Sequence, residues 1–331
     1  MKYIISYLFL LAGCLLFQKG AAQVDAHFTQ YYVYPSWLNP ALTGVFDGDY
    51  RVSGIYRSQW GNVSSPFTTT GLSGDIKTGK NLSIGLQALV QRAGNGGYRY
   101  TTGAASVNYT GVRFGKSGYH RLNLALQAGF LSKRFDPAKF TFGEQWTPGG
   151  IVNINSEVLT RNSATSFDAG AGMLYYDAEP GKKANVYAGF SVAHLTRPED
   201  RFSASGNEKL PLRYNLHAGV KIVMSPAVTL TPNVLYLKQG SASEKAMGLY
   251  AQMKAALETD FLVGVNYRIE DAVSPYVGFN YKSFVVGASY DVNISDLGKL
   301  AKGASSFELT LTYTGRKKVR TPEADFVCPR L

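Results

Sequence analysis

The chain has 331 residues and carries 34 lysines and arginines against 23 aspartates and glutamates, a formal net charge of +11, with only 17% of residues charged and a mean hydropathy of −0.10. Beyond the amino terminus no stretch approaches the roughly twenty apolar residues of a membrane-spanning helix, which excludes a helical membrane protein. With only Cys14 and Cys328 present, a disulfide-stapled fold is excluded as well.

The amino terminus reads as a secretion signal. Lys2 supplies a small positive region, Tyr3 to Phe17 an apolar core too short to cross a bilayer, and Gly20-Ala21-Ala22 a small-residue cleavage site, so residues 1–22 are expected to be removed. Leu11-Ala12-Gly13-Cys14 offers the alternative of an acylated Cys14. Loss of Lys2 and Lys19 takes the formal charge from +11 to +9. On an envelope protein that surplus favours anionic neighbours such as lipopolysaccharide or an acidic protein, not nucleic acid.

Residues 23–48 do not alternate and contain Pro35 and Pro40, so they are placed before the main fold, in the periplasm or inside it. From Asp49 onward apolar and polar residues take turns. The pattern predicts strands at about 50–60, 66–77, 81–92, 98–113, 119–133, 164–177, 183–195, 210–223, 227–238, 244–256, 261–270, 273–280, 284–292 and 306–315. Even-numbered connectors such as Thr78-Gly79-Lys80 and Met224-Ser225-Pro226 are tiny, whereas the long ones, Phe135 to Ser163, Thr196 to Lys209 and Asn293 to Ser305, are all odd-numbered. Short turns at one rim and long loops at the other are the pattern of an outer-membrane barrel rather than a soluble β-sandwich. The fold class is therefore all-β: a transmembrane antiparallel β-barrel of about fourteen strands over residues 49–315, with both termini periplasmic and a lumen either water-filled or plugged.

Leu122, Leu124, Leu126, Ala128 and Phe130 face lipid in this reading, as do Leu82, Ile84 and Leu86, and Phe307, Leu309 and Leu311. The polar residues of the opposite parity, Gln87, Asn123, Gln127, Arg213, Asn215, His217, Lys221 and Glu308, then face the lumen, because a charge on the lipid face costs roughly 2–4 kcal/mol at the midplane. Pro232 removes a ladder donor from its strand and argues for a bulge or a position at the rim. Residues 316–331, with Arg316, Lys317, Lys318 and Arg320, read as a basic periplasmic tail.

Several ordered motifs carry a resemblance. They are His27-Phe28-Thr29-Gln30-Tyr31-Tyr32, Leu38-Asn39-Pro40-Ala41-Leu42-Thr43-Gly44, Tyr56-Arg57-Ser58-Gln59-Trp60, Ser289-Tyr290-Asp291-Val292-Asn293, Phe307 to Thr314, and the terminal Cys328-Pro329-Arg330. This succession resembles the PorP/SprF family of Bacteroidetes outer-membrane proteins and spans nearly the whole mature chain. Membership implies an accessory role in the type IX secretion system, helping to export or anchor a surface protein such as an adhesin linked to gliding motility. The implied partners are secretion components and that exported protein.

Candidate chemistry is sparse. His27, His120, His194 and His217 show no ligand spacing, Asp47-Gly48-Asp49 lacks the glutamate that completes a calcium loop, and Gly94-Asn95-Gly96-Gly97 joins strands rather than opening a helix. No nucleophile motif is present, so no enzyme, metal or cofactor is expected. The aromatic cluster Phe28, Tyr31, Tyr32, Tyr34 and Trp37 suits either packing of a plug or a docking surface for a partner. Partner docking is assigned to Phe28, Tyr31, Tyr32 and Trp37, to Asn39, Arg57 and Trp60 from the family-like motifs, and to Trp146 on the long Phe135 to Ser163 loop. The alternative function is a passive outer-membrane channel or a fatty-acid-type transporter.

Overall fold

The computed structural model describes residues 25–316 apart from 62–65, 80, 95–96, 137–138, 140, 142, 153–161, 200–208 and 296–305. The secretion signal with Cys14, and the tail beyond Arg316 with Cys328, lie outside the described residues. The strands are β1 (Tyr50–Gln59), β2 (Phe67–Lys77), β3 (Leu82–Ala93), β4 (Tyr98–Phe114), β5 (His120–Arg134), β8 (Ser163–Asp177), β9 (Ala184–Ala193), β10 (Arg213–Ser225), β11 (Val228–Gln239), β12 (Ala242–Ala256), β13 (Thr259–Arg268), β14 (Ala272–Tyr281), β15 (Phe284–Asn293) and β16 (Ser306–Gly315). A two-stranded hairpin, β6 (Trp146–Thr147) with β7 (Gly150–Ile151), decorates the long loop between β5 and β8.

Each strand pairs antiparallel with its neighbours, and β1 closes on β16 from Tyr50↔Gly315 to Gln59↔Ser306. The result is a closed barrel of fourteen strands, with no free sheet edge in its wall. The two faces separate as the period of two demands. Leu86 and Leu126 are 64% and 69% exposed on the outside, while Ser83, Gln87 and Asn123 are buried inside. Such an apolar exterior is a lipid-facing belt.

Pro232 departs from expectation. It lies in mid-strand on β11, opposite Leu249 of β12, neither at the rim nor in a bulge. The pairing to β10 passes from Gly219↔Asn233 directly to Ile222↔Leu230, stepping three residues on both strands, so bonds are skipped while the register is kept. Pro275 on β14 does the same against β15, between Val273↔Val292 and Tyr276↔Ser289. The missing proline N–H thus opens a gap in one ladder without moving any side chain to the other face.

Candidate functional site

The lumen is filled by the chain's own amino-terminal segment. Nearly every residue from Asp25 to Phe46 is buried. Two tight turns shape it, a single helical turn at Pro35–Leu38 and a 3-10 turn at Pro40–Leu42. Each begins on a proline, whose fixed φ suits the first helical position and whose missing N–H would have no partner there anyway. Asn39 lies between them, and its side chain accepts from Ala41 N at 2.9 Å as a cap.

An irregular backbone buried in a closed barrel needs partners for its polar groups, and the inward side chains of the wall provide them. Asn108 donates to Ala41 O and Thr43 O, at 2.9 and 2.7 Å. Leu38 O accepts from Ser191 and Asn215, at 2.7 and 2.6 Å. Glu308 accepts from Thr29 N and Gln30 N, and Asp75 accepts from Gly44 N at 2.7 Å. Asn39 reaches out in turn, donating to Met173 O at 2.9 Å and lying 3.2 Å from His217 Nε2. Two wall glycines make room: a Cβ at Gly172 would stand 2.1 Å from Asn39 Oδ1, and one at Gly189 would stand 2.2 Å from His217 Nε2.

Three clusters of charged side chains, two at the long-loop rim and one at the short-turn rim, hold this plug, one through an ion pair to Asp25 and two through hydrogen bonds from pairs within the wall. Near the long-loop rim Arg57 pairs with Glu308 and, at 2.7 Å, with Asp291, which also takes Arg268 at 2.8 Å. Thr29 is held between them, its hydroxyl accepting from Arg57 and Arg268 at 3.1 and 3.0 Å and donating to Asp291 at 2.8 Å. Burial and the positive Arg57 and Arg268 push the neighbouring His27 well below its usual pKa, so it stays neutral and adds no third positive charge. On the other side of the same rim His194, just after β9 and at φ 61°, bridges Asp25 at 2.7 Å and Asp168 at 2.8 Å.

Burial alone would lower the pKa of His194, but Asp25 and Asp168 outweigh it and raise the value to about 9. Burial likewise opposes ionisation of Asp25, yet His194 and Arg213 hold that carboxyl well below the usual range. Arg213 also lies 4.6 Å over the Trp37 ring. At the short-turn rim Arg51 pairs with Asp75 at 2.7 Å, and Arg51 and Lys77 lie 4.7 and 5.1 Å from the centre of the Phe46 ring. A crevice of about 20 Å³, room for one water, remains beside Trp37, Gln127, Asp168 and Arg213.

The residues assigned to partner docking are divided among plug, wall and loops. Phe28, Tyr31, Tyr32 and Asn39 of the plug are buried against the wall, and Arg57 of β1 is buried against the plug, where no partner can reach them while the plug is seated. Trp37 is half-buried, and Trp60 packs edge-on against Phe67 at 5.1 Å. Only Trp146, on the loop hairpin and 63% exposed, presents a surface among these residues. Of the polar side chains assigned to the lumen, Gln87, Asn123, Arg213, Asn215, His217 and Glu308 are buried inside, and Gln127 and Lys221 are half-buried. Asp25 touches His194 and Arg213 at the long-loop rim, whereas Arg316 leaves β16 at the short-turn rim, so the two described ends lie toward opposite mouths.

Asp25, Arg51, Asp75, His194, Arg268 and Asp291 were not singled out from sequence for these roles. Parity was the available signal for Asp291, which alternates with the outward Tyr290.

No curated protein matches the chain. Among solved structures the fold is similar to the Ralstonia pickettii toluene transporter TbuX, with a TM-score of 0.52 at 10% identity over 85% of this chain and 92% of that one. It is also similar to the P. putida toluene transporter TodX, with a TM-score of 0.50 at 10% identity over 85% and 93%. At such identities the likeness is one of fold. The family model for the type IX secretion system membrane protein PorP/SprF matches residues 20–313. The chain therefore belongs to the PorP/SprF family of type IX secretion system membrane proteins and is an outer-membrane β-barrel.

Proposed function

We propose that this protein is an accessory component of the type IX secretion system that helps to export or anchor a surface protein through contacts made by its loops and rims. The observation that carries this reading is the seated plug, which contacts wall strands on opposite sides of the lumen: Tyr34 bonds to Ala88 O on β3, Ser191 on β9 to Leu38 O, Tyr31 to Asn233 on β11, and Gln30 to Ser289 on β15. A barrel packed in this way is a scaffold, and cargo has to pass elsewhere. The same packing counts against the alternative of a passive channel or fatty-acid-type transporter. The short turns face the periplasm in this reading and the long loops, with Trp146, face the exterior.

Two measurements test it. Deletion of the protein removes one or a few surface proteins from the cell exterior and leaves general permeability intact, and an unchanged surface proteome would refute the accessory role. In planar bilayers the full-length protein is closed, while a variant lacking residues 25–46 conducts. Steady conductance of the intact protein would favour the channel.

A further inference from the structure

Three arginines form a row on the outside of the barrel. Arg92 of β3 pairs with Arg99 of β4, and Arg99 with Arg134 of β5. They share the parity of the lipid-facing Leu86, Val107 and Phe130, and all three are exposed. Directly opposed side chains on adjacent strands have Cβ atoms about 5 Å apart, and like charges so placed repel. Elsewhere in the barrel Arg51, Arg57, Arg213 and Arg268 each have a carboxylate partner. Among the described residues no ion pair or hydrogen bond neutralises Arg92, Arg99 or Arg134.

Their depth indicates what does. Next below them on the same face lie Thr101, Ser132 and Thr165, opposed in sequence across β4, β5 and β8, with the Thr165 hydroxyl donating to Ser132 at 2.9 Å. Below these come Gly103, Phe130 and Phe167, and then the aliphatic belt. On β5, guanidinium, hydroxyl, aromatic and aliphatic side chains succeed one another from the long-loop rim toward the midplane, as headgroup gives way to acyl chain, while β3 turns apolar directly below Arg92, at Val90 and Ala88.

We propose that Arg92, Arg99 and Arg134 form a binding site for the phosphate groups of a phosphorylated glycolipid, of the lipid A class, in the outer leaflet. Three fork-shaped donors in a line suit phosphate oxygens, and the phosphate removes the repulsion within the row. The site rests on the long loops facing the cell exterior. Its test does not, so failure of one leaves the other standing.

The test uses the full-length protein in detergent with fluorescently labelled diphosphoryl lipid A, titrated against the parent, against the triple variant Arg92→Gln, Arg99→Gln, Arg134→Gln, and against a charge-matched control, Lys116→Gln, Lys254→Gln, Lys282→Gln, at the other rim. The arginine variant is expected to bind on the order of 100-fold more weakly and the control like the parent. Dephosphorylated lipid A is expected to bind the parent no better than it binds the arginine variant. Without lipid the arginine variant keeps or raises its melting temperature, which separates lost binding from lost folding. Equal binding by parent and arginine variant, or an equal loss in the control, overturns the proposal. So does displacement of the lipid by inorganic phosphate, which would mark a site for free anions.

Discussion

Replacing Arg57 with methionine probes the plug most directly. The Arg57 side chain is 1% exposed, as is that of Glu308, and the guanidinium pairs with Glu308 and Asp291 while donating to Thr29. Its removal leaves Glu308 charged and buried with only the N–H groups of Thr29 and Gln30 as partners, whereas Asp291 keeps Arg268. Breaking one partner out of a buried pair costs about 3–5 kcal/mol, most of it the uncompensated charge. The double variant Arg57→Met, Glu308→Gln removes both charges and leaves Asp291 balanced by Arg268. It should therefore recover at least about 1 kcal/mol relative to the sum of the single changes. Urea unfolding in detergent micelles, followed by tryptophan fluorescence, supplies the three free energies. A loss below about 1 kcal/mol for Arg57→Met, or strict additivity in the double variant, would refute the reasoning.

The His194 bridge predicts a pH dependence. Its folded-state pKa is raised from 6.5 to about 9, so its contribution, roughly 3 kcal/mol, is whole below pH 6.5 and is lost as the pH rises through 9. Thermal unfolding between pH 6 and 10 should show that loss in the parent and not in His194→Gln. Valine at Gly172 should destabilise by about 1–3 kcal/mol by pushing on Asn39 and Pro40, while Gly79→Ala, where nothing lies within 4 Å, stays within about 0.5 kcal/mol in the same assay. Asn39→Ala, which loses the Ala41 cap and the bond to Met173 O, should lower stability by about 1–3 kcal/mol in urea titrations and increase proteolysis of the plug.

The barrel was legible because lipid on one side and a polar interior on the other impose a period of two on residues such as Leu122 to Phe130. Connector lengths then number the strands. Arg213, Asn215 and His217 could be directed inward for the same reason, since they alternate with the apolar Tyr214, Leu216 and Ala218. Pro232, whose missing N–H argues for a bulge or a rim position, instead lies in mid-strand, where the ladder omits bonds and keeps its alignment. The plug was legible only as a segment that fails to alternate. Its partners are set by contacts such as Thr29 with Glu308, 279 residues apart, and no local pattern in residues 25–46 encodes which wall side chain meets which carbonyl. The arginine row had the same obstacle, because the opposition of Arg92, Arg99 and Arg134 emerges only once three strands are in register.

The Glu308 bond to the Thr29 and Gln30 backbone also ties the plug to the seam of the barrel. β16 closes the cylinder against β1. Its Glu308 carboxylate pairs with Arg57 directly across that seam and also takes the Thr29 and Gln30 N–H groups, so one side chain serves both the closure of the wall and the anchorage of the plug. A cylinder without its occupant would keep the Arg57 pair but lose the two N–H groups, leaving part of the Glu308 carboxylate without a protein donor. Occupancy of the lumen thereby strengthens the seam at its long-loop end, although the ladder that closes the wall does not depend on it.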